Sequence, residues 1–219
     1  MIGKGRPRSE AARCSILETA LRLARTQGYA RISMDRIAAE AGVGKQTIYR
    51  WWASKAAVVL EALRENAAEE IETPDLGSLQ ADLRAFIKST FDASRRRPGI
   101  NDVLRALMAE AQLDTAVLEQ FKREVIDPRR AALRGLLERA KARPGVRESF
   151  DPDFFVDIAF GIIWFRLLTE VGPLDDSLAE QLATLLTKAA AGPLEGRPEK
   201  KKRRVSHRAG DDDSPGSPR

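Results

Sequence analysis

The chain has 219 residues, of which 43% are hydrophobic, 32% charged and 6% aromatic, and its net charge is +5. This composition is typical of a globular protein rich in helices, and the longest apolar run, residues 158–165, is far shorter than the roughly 20 residues of a membrane-spanning helix. The single cysteine, Cys14, excludes an intramolecular disulfide and indicates a reducing compartment, and we expect it to be half-buried. We therefore expect a cytoplasmic protein without a membrane partner.

Basic charge is concentrated at the two ends of the chain. Residues 1–55 carry 11 Lys and Arg against 4 Asp and Glu, and residues 196–219 carry 8 against 4. The middle of the chain, residues 56–195, carries 18 against 24 and is therefore acidic. A small basic segment joined to a larger, mildly acidic one indicates that the first binds a polyanion and the second does not.

The first predicted elements form a helix-turn-helix pattern. Ser9 is predicted to cap a first helix over about residues 10–27. Ser33 is predicted to cap a short second helix, MDRIAAEA, and a third helix covers residues 45–51 or 45–52. Two short helices joined by a turn that contains glycine are the sequence form of a helix-turn-helix.

Six more helices are predicted, which gives an all-α fold of about nine helices and no sheet. Their predicted ranges are residues 54–72, 79–97, 100–111, 114–141, 152–171 and 177–191. The predicted caps are Ser78, Asp114, Asp151 and either Asp175 or Asp176. Pro128 is expected to kink or break the longest of these helices.

The third helix carries the side chains that recognition of a DNA major groove requires. Some side chains must reach base edges and others must bind the flanking phosphates. Lys45 and Gln46 can hydrogen-bond purine edges, and Thr47 offers both a hydroxyl and a methyl group. The residues that can donate hydrogen bonds to phosphates are Tyr49, Trp51 and Lys55. The alternative is an ordinary amphipathic helix whose basic residues are solvated.

The segment ILETALRLARTQGYARISMDRIAAEAGVGKQTIYRWWASKAAVVLEAL strongly resembles the DNA-binding domain of TetR-family transcriptional repressors. The matching motifs are GY after the first helix, IS before the second, IA..AGV, TIY followed by an aromatic residue, and SK at the start of the fourth helix. A weaker similarity to one subgroup's C-terminal domain extends to about residue 192. The resemblance implies a homodimer that represses transcription from a palindromic double-stranded DNA operator until a small-molecule inducer binds.

The resemblance also implies roles for individual residues. It makes Ser33 a phosphate contact, places Lys45, Gln46 and Thr47 at or near bases, and makes Tyr49, Trp51 and Lys55 backbone contacts. Arg50 occupies a position that varies within the family. Gly44 stands where a serine or another polar residue is more common, so it keeps the N–H contact to phosphate but loses a side-chain contact.

Two predictions concern the larger domain. The eighth predicted helix, residues 152–171, is apolar on almost every side, so one side must pack on its own core. The other side must pack either on a partner subunit or on more of the same core. The predicted dimer interface comprises Phe155, Ile158, Ile162, Phe165, Leu178, Leu182 and Leu185. The predicted pocket, for a hydrophobic or amphipathic inducer, comprises Phe86, Phe91, Met108, Phe121, Phe160 and Trp164, although such residues are also typical of a core.

The predicted domains are a basic arm (1–8), a helix-turn-helix domain (9–53), a ligand-binding and dimerisation domain (54–193) and a disordered, charged tail (194–219).

Two other classes of function fit less well. The sequence has one histidine, His207, and no nucleophile motif or phosphate-binding loop, so we expect no catalytic site, metal or cofactor. A nonspecific basic DNA-binding or architectural protein is the main alternative, because the tail contains the block KKKRRV.

Overall fold

The computed structural model describes residues 6–68, 71 and 73–191, and all regular structure in these ranges is helical. The helices are α1 (Arg6–Gln27), α2 (Met34–Glu40), α3 (Lys45–Trp51), α4 (Lys55–Ala68), α5 (Leu79–Arg95), α6 (Ile100–Ala111), α7 (Thr115–Phe121), α8 (Asp127–Ala140), α9 (Pro152–Thr169) and α10 (Asp176–Ala191). A 3₁₀ turn, Tyr29–Arg31, follows α1, and a π-helical turn, Lys122–Ile126, joins α7 to α8. If α7, the π turn and α8 are counted as one interrupted helix, the described residues contain nine helices, which confirms the predicted all-α fold.

Local capping signals place most helix starts where the sequence predicts them. In each case a side-chain oxygen accepts a hydrogen bond from a backbone N–H of the first turn, and the capping residues are Ser33, Ser54, Ser78, Asp114, Asp151 and Asp175. These bonds satisfy N–H groups that have no partner within the helix. The predicted caps at Ser33, Ser78, Asp114 and Asp151 are thus confirmed, and Asp175 rather than Asp176 caps α10.

The start of α1 differs from the prediction. The helix begins at Arg6, so Ser9 lies within it and does not cap it. Pro7 is tolerated in the first turn because its missing N–H has no helical acceptor there and its fixed φ suits the helix. Cys14, which we expected to be half-buried, is exposed.

The long helix predicted over residues 114–141 is interrupted, as Pro128 indicates. Pro128 lies in the first turn of α8, and the π turn comes directly before that helix. Proline has no N–H to donate, and its ring clashes with the carbonyl of the residue four positions earlier, which here is Glu124. The chain therefore widens into a π turn, and the helix continues beyond it.

Two hydrophobic clusters hold the helices together. The first cluster joins α1–α4 to α6 and α7, and the second joins α5, α8, α9 and α10. The N-terminal helices therefore share a core with helices from the larger predicted domain. The packing does not divide the chain between residues 53 and 54, and that domain boundary stays a prediction.

Some predictions concern parts of the chain outside the described residues. These are the tail, residues 194–219, with its basic block and His207, and most of the arm, residues 1–5. Along the part of the chain that the structure describes, no helix combines the length and the apolar character that crossing a bilayer requires.

Candidate functional site

The third helix presents a polar face to solvent above one buried side chain. Ile48 is fully buried and packs in the first hydrophobic cluster, which fixes the orientation of the helix. The exposed residues are Lys45, Gln46, Tyr49 and Arg50, while Thr47 and Trp51 are half-buried. A short helix with hydrogen-bonding groups along its outer face is the shape that a DNA major groove accepts.

Asp35 of α2 contacts two of these residues. One carboxylate oxygen accepts a hydrogen bond of 2.6 Å from Lys45 Nζ, and the other accepts one of 3.2 Å from Tyr49 Oη. The hydrogen bond from Lys45 lowers the pKa of Asp35, and the same bond raises the pKa of Lys45. Sequence reasoning did not find this pairing, because it joins side chains of two helices across the turn.

Trp52 anchors the C-terminal end of α3. Its ring is buried, and its indole N–H donates a 2.6 Å hydrogen bond to Glu61 Oε2 of α4. Arg13 of α1 donates from Nε to the other oxygen of Glu61 at 3.0 Å and also pairs with Glu65. Polar contacts therefore tie α1, α3 and α4 together beneath the exposed face.

Lys55 has partners within the protein. Its ammonium donates hydrogen bonds to the carbonyl oxygens of Tyr29, at 3.1 Å, and Ile32, at 3.5 Å, and lies 4.4 Å from the centroid of the Tyr29 ring. The Tyr29 hydroxyl donates to Glu110 Oε2 of α6 at 2.7 Å. Burial, and then the bond to Glu110, raise the pKa of Tyr29 far above its usual range. The predicted phosphate contact of Lys55 stays a prediction.

The two remaining predicted contacts lie at helix starts. Ser33 is exposed, and its hydroxyl accepts the 3.3 Å bond from Arg36 N that caps α2. Gly44 is the N-terminal cap residue of α3, with an ordinary φ of −69° and no atom within 4 Å of a Cβ built on it. A serine would fit at Gly44, so the absence of a side chain there is not imposed by the fold.

Two family models match the chain. Residues 16–62 match the model described as bacterial regulatory proteins, tetR family, and residues 73–186 match the model described as tetracyclin repressor-like, C-terminal domain. The chain belongs to the TetR family of transcriptional regulators.

Relatives and solved structures agree with this assignment. The uncharacterized HTH-type transcriptional regulator YdeS of Bacillus subtilis is 32% identical over 82% of this chain and 89% of its own. The DNA-binding transcriptional repressor TetR of Mycobacteroides abscessus is 32% identical over 83% and 93%. The TetR family transcription regulator SCO0332 superposes with a TM-score of 0.69 at 30% identity, over 81% of this chain and 97% of that structure. This TetR-family protein is thus a helix-turn-helix regulator of transcription.

A cavity lies where the two hydrophobic clusters of this TetR-family regulator meet. It encloses about 100 Å³ of water-accessible space. Three of the six predicted pocket residues line it, namely Phe91, Phe160 and Trp164. The other three do not: Phe86 is buried in the second cluster, Met108 packs against the first, and Phe121 is buried with its ring 5.7 Å from the Trp164 ring.

The cavity wall also carries polar groups that sequence reasoning did not assign. The Ser94 hydroxyl of α5 bonds to Asn101 Oδ1 of α6, and both residues line the cavity. Glu124 of the π turn lines it too, with only 9% of its side chain exposed, and pairs with Arg64 Nε at 3.5 Å and Arg123 Nε at 3.1 Å. One signal in the sequence could have indicated Ser94. It follows Phe91 by three residues, so both lie on the same side of α5.

The structure corrects part of the predicted dimer interface. Phe155, Leu178 and Leu182 are at most 4% exposed and pack in the second cluster of their own chain, so they offer almost no surface to a partner. Ile158 and Ile162 are half-buried, and Phe165 and Leu185 are more than half exposed. Because α9 is apolar on all sides, its sequence pattern does not show which face points inward.

Among the described residues, no group of three or more His, Cys, Asp or Glu could hold a metal ion.

Proposed function

We propose that this regulator is a homodimeric repressor that binds a palindromic operator and is released from it by a hydrophobic or amphipathic small molecule. The observation that carries the proposal is the exposed polar face of α3, the proposed recognition helix, above the buried Ile48. Lys45 and Gln46 are exposed at the N-terminal end of that helix, where they can reach base edges. Lys45 would exchange its contact with Asp35 for one with a base. The relative from Mycobacteroides abscessus is itself named a DNA-binding transcriptional repressor.

Exposed apolar side chains on α9 and α10 support the homodimer. On α9 these are Phe154, Phe165 and Leu168, which are 53%, 58% and 43% exposed. They share one side of the helix because the second and third follow the first by about three and about four turns. Leu185 of α10 is 52% exposed. An exposed apolar face such as that of α9 is typical of association sites. A twofold dimer through this face would present its two recognition helices to successive major grooves, roughly 34 to 36 Å apart.

The position of the cavity supports release by a small molecule. Its wall includes Leu21 of α1 and Leu63 of α4, and α4 directly follows the recognition helix. A molecule that binds better when α4 has moved would weaken DNA binding. By linkage, DNA would weaken the binding of that molecule equally, with a coupling of about 1–3 kcal/mol.

A selection from randomised duplex DNA with the purified full-length protein tests the proposal. An enriched palindrome, retained by a dimer, is the expected outcome, and a reporter controlled by that palindrome should be repressed by the protein. Retention that depends on salt without enrichment of any sequence would instead favour the nonspecific basic DNA-binding protein. In that case deletion of residues 195–219 should flatten the salt dependence, because phosphate contacts set its slope.

A further inference from the structure

Asp35 places a negative charge within the proposed DNA-binding face. It pairs through both carboxylate oxygens with Lys45 and Tyr49, two residues of the recognition helix. The side chains of Asp35 and Lys45 are 47% and 68% exposed, so the pair lies at the surface. A carboxylate beside these donors would face the phosphates that any duplex brings to α3.

Capping of α2 does not account for Asp35. The hydroxyl of Ser33 already accepts the hydrogen bond from Arg36 N at the start of that helix. The helix dipole favours an acidic residue in the first turn, but it does not require both oxygens to reach a neighbouring helix. Among the described residues, the side chain of Asp35 bonds to Lys45 and Tyr49, and both lie on the proposed recognition helix.

The pair affects specific and nonspecific DNA binding differently. Nonspecific binding depends on phosphate contacts and on the release of counterions. An ammonium that is paired with a carboxylate contributes little to those contacts, and the carboxylate itself is repelled by phosphate. A matching base pair offers Lys45 something more, because guanine O6 and N7 accept hydrogen bonds from a lysine in a fixed geometry. That gain can offset the loss of the contact with Asp35.

We propose that Asp35 is a specificity-determining residue, which withholds Lys45 and Tyr49 from phosphates and releases them only to a matching operator sequence. This inference rests on the proposed DNA-binding function. Asp35 acts as a repulsive element against wrong partners, and specificity, as a difference of affinities, can be built from such elements.

Asp35→Asn tests the proposal, with Glu40→Gln as its matched control. Glu40 is another carboxylate of α2, so both variants add the same charge, but Glu40 pairs with Arg22 and Arg36 and not with the recognition helix. The probes are the duplex enriched by selection and a scrambled duplex of the same composition, each titrated over a range of salt concentrations. The melting temperature of each variant is measured alongside.

We expect Asp35→Asn to bind the scrambled duplex about fivefold more tightly near physiological salt, with a salt slope steeper by about 0.9, as for one added phosphate contact. Its preference for the selected duplex should fall by a similar factor, while Glu40→Gln keeps the wild-type preference. In a Lys45→Gln background, Asp35→Asn should steepen the slope much less, because the ammonium that it releases is absent.

Equal effects of Asp35→Asn and Glu40→Gln would overturn the proposal, because a general change of charge would then explain both. Weaker binding of Asp35→Asn to both duplexes, at an unchanged melting temperature, would also overturn it and would make Asp35 a residue that orients Lys45 for binding. These outcomes are distinct from a failure of the proposed function, which wild-type protein alone reveals if it does not prefer the selected duplex to the scrambled one.

Discussion

Glu61 of α4 accepts a 2.6 Å hydrogen bond from the indole N–H of Trp52, which follows the last residue of α3. The same carboxylate binds Arg13 of α1 and lies 3.9 Å from Arg64, whose Nε is 3.5 Å from Glu124 in the cavity wall. Side chains on α4 thus connect the wall of the cavity with the end of the helix that is proposed to read DNA.

Trp52→Phe should lower the free energy of unfolding by about 1.5–3 kcal/mol beyond the cost of the smaller ring, because it removes a partly buried hydrogen bond to a charged acceptor. Trp51→Phe is the control, since Trp51 is half-buried and no hydrogen bond of its indole is found among the described residues. Urea denaturation measures both. Equal losses would show that the bond to Glu61 contributes nothing to stability.

Gly99→Ala should destabilise the protein more than Gly77→Ala does. Both glycines have positive φ, 83° and 87°, so an alanine is strained at either position. A Cβ on Gly99 would also clash with the carbonyl oxygen of Arg25, whereas a Cβ on Gly77 meets nothing within 4 Å. We expect a further loss of about 1–3 kcal/mol for Gly99→Ala. Similar melting temperatures for the two variants would contradict this.

Lys45→Ala and Lys55→Ala should differ in both DNA binding and stability. Lys45 is exposed, so its loss should relax base preference and leave the melting temperature nearly unchanged. Lys55 holds the carbonyl oxygens of Tyr29 and Ile32, so its loss should cost about 1–3 kcal/mol of stability. It should also weaken binding to all duplexes alike. Selection from randomised DNA combined with thermal melting checks both, and unaltered stability of Lys55→Ala would show that its internal contacts are not needed.

Leu104→Trp should reduce the binding of an apolar fluorescent dye, such as anilinonaphthalene sulfonate, to a small fraction of the wild-type level. Leu104 lines the cavity, and an indole there would occupy much of the available space. Leu113→Trp is the matched control, because Leu113 is 91% exposed and the chemical change is the same. If the wild type and both variants bind the dye equally, this cavity is not the site at which the dye binds.

Phe165→Asp should convert the proposed dimer into folded monomers, whereas Leu182→Asp should unfold the chain. Phe165 is 58% exposed on α9, and Leu182 is 2% exposed in the second cluster. An unpaired charge in a core costs several kcal/mol, while a charge on a free surface costs little. Sedimentation and circular dichroism distinguish the two results. A Phe165→Asp protein that remains dimeric would place the interface elsewhere.

The sequence predicted the features that depend on neighbouring residues. Capping side chains such as Ser78 and Asp151 act within one helical turn, so their pattern gave the helix starts. The exposure of Gln46, which is predicted to contact bases, follows from helical periodicity in the same way.

Features that depend on distant residues were missed. The bond between Trp52 and Glu61 and the pairing of Asp35 with Lys45 join different helices, and no local pattern encodes which pairs will meet. The inward face of α9 was assigned wrongly at Phe155 because its neighbours along the helix are equally apolar. Periodicity can orient a helix only when one of its faces is polar.

The shared core of α1–α4 with α6 and α7 limits how new DNA targets can be acquired. Ile48, Leu107 and Phe121 pack in the same cluster. In a chimera joined at residue 53, Ile48 and Leu107 would come from different proteins, so the residues of this cluster would no longer match one another. The outer residues of α3 touch solvent and not this core. Retargeting by substitution of those few side chains needs no repacking, so point changes are an easier route to a new operator than exchange of whole domains.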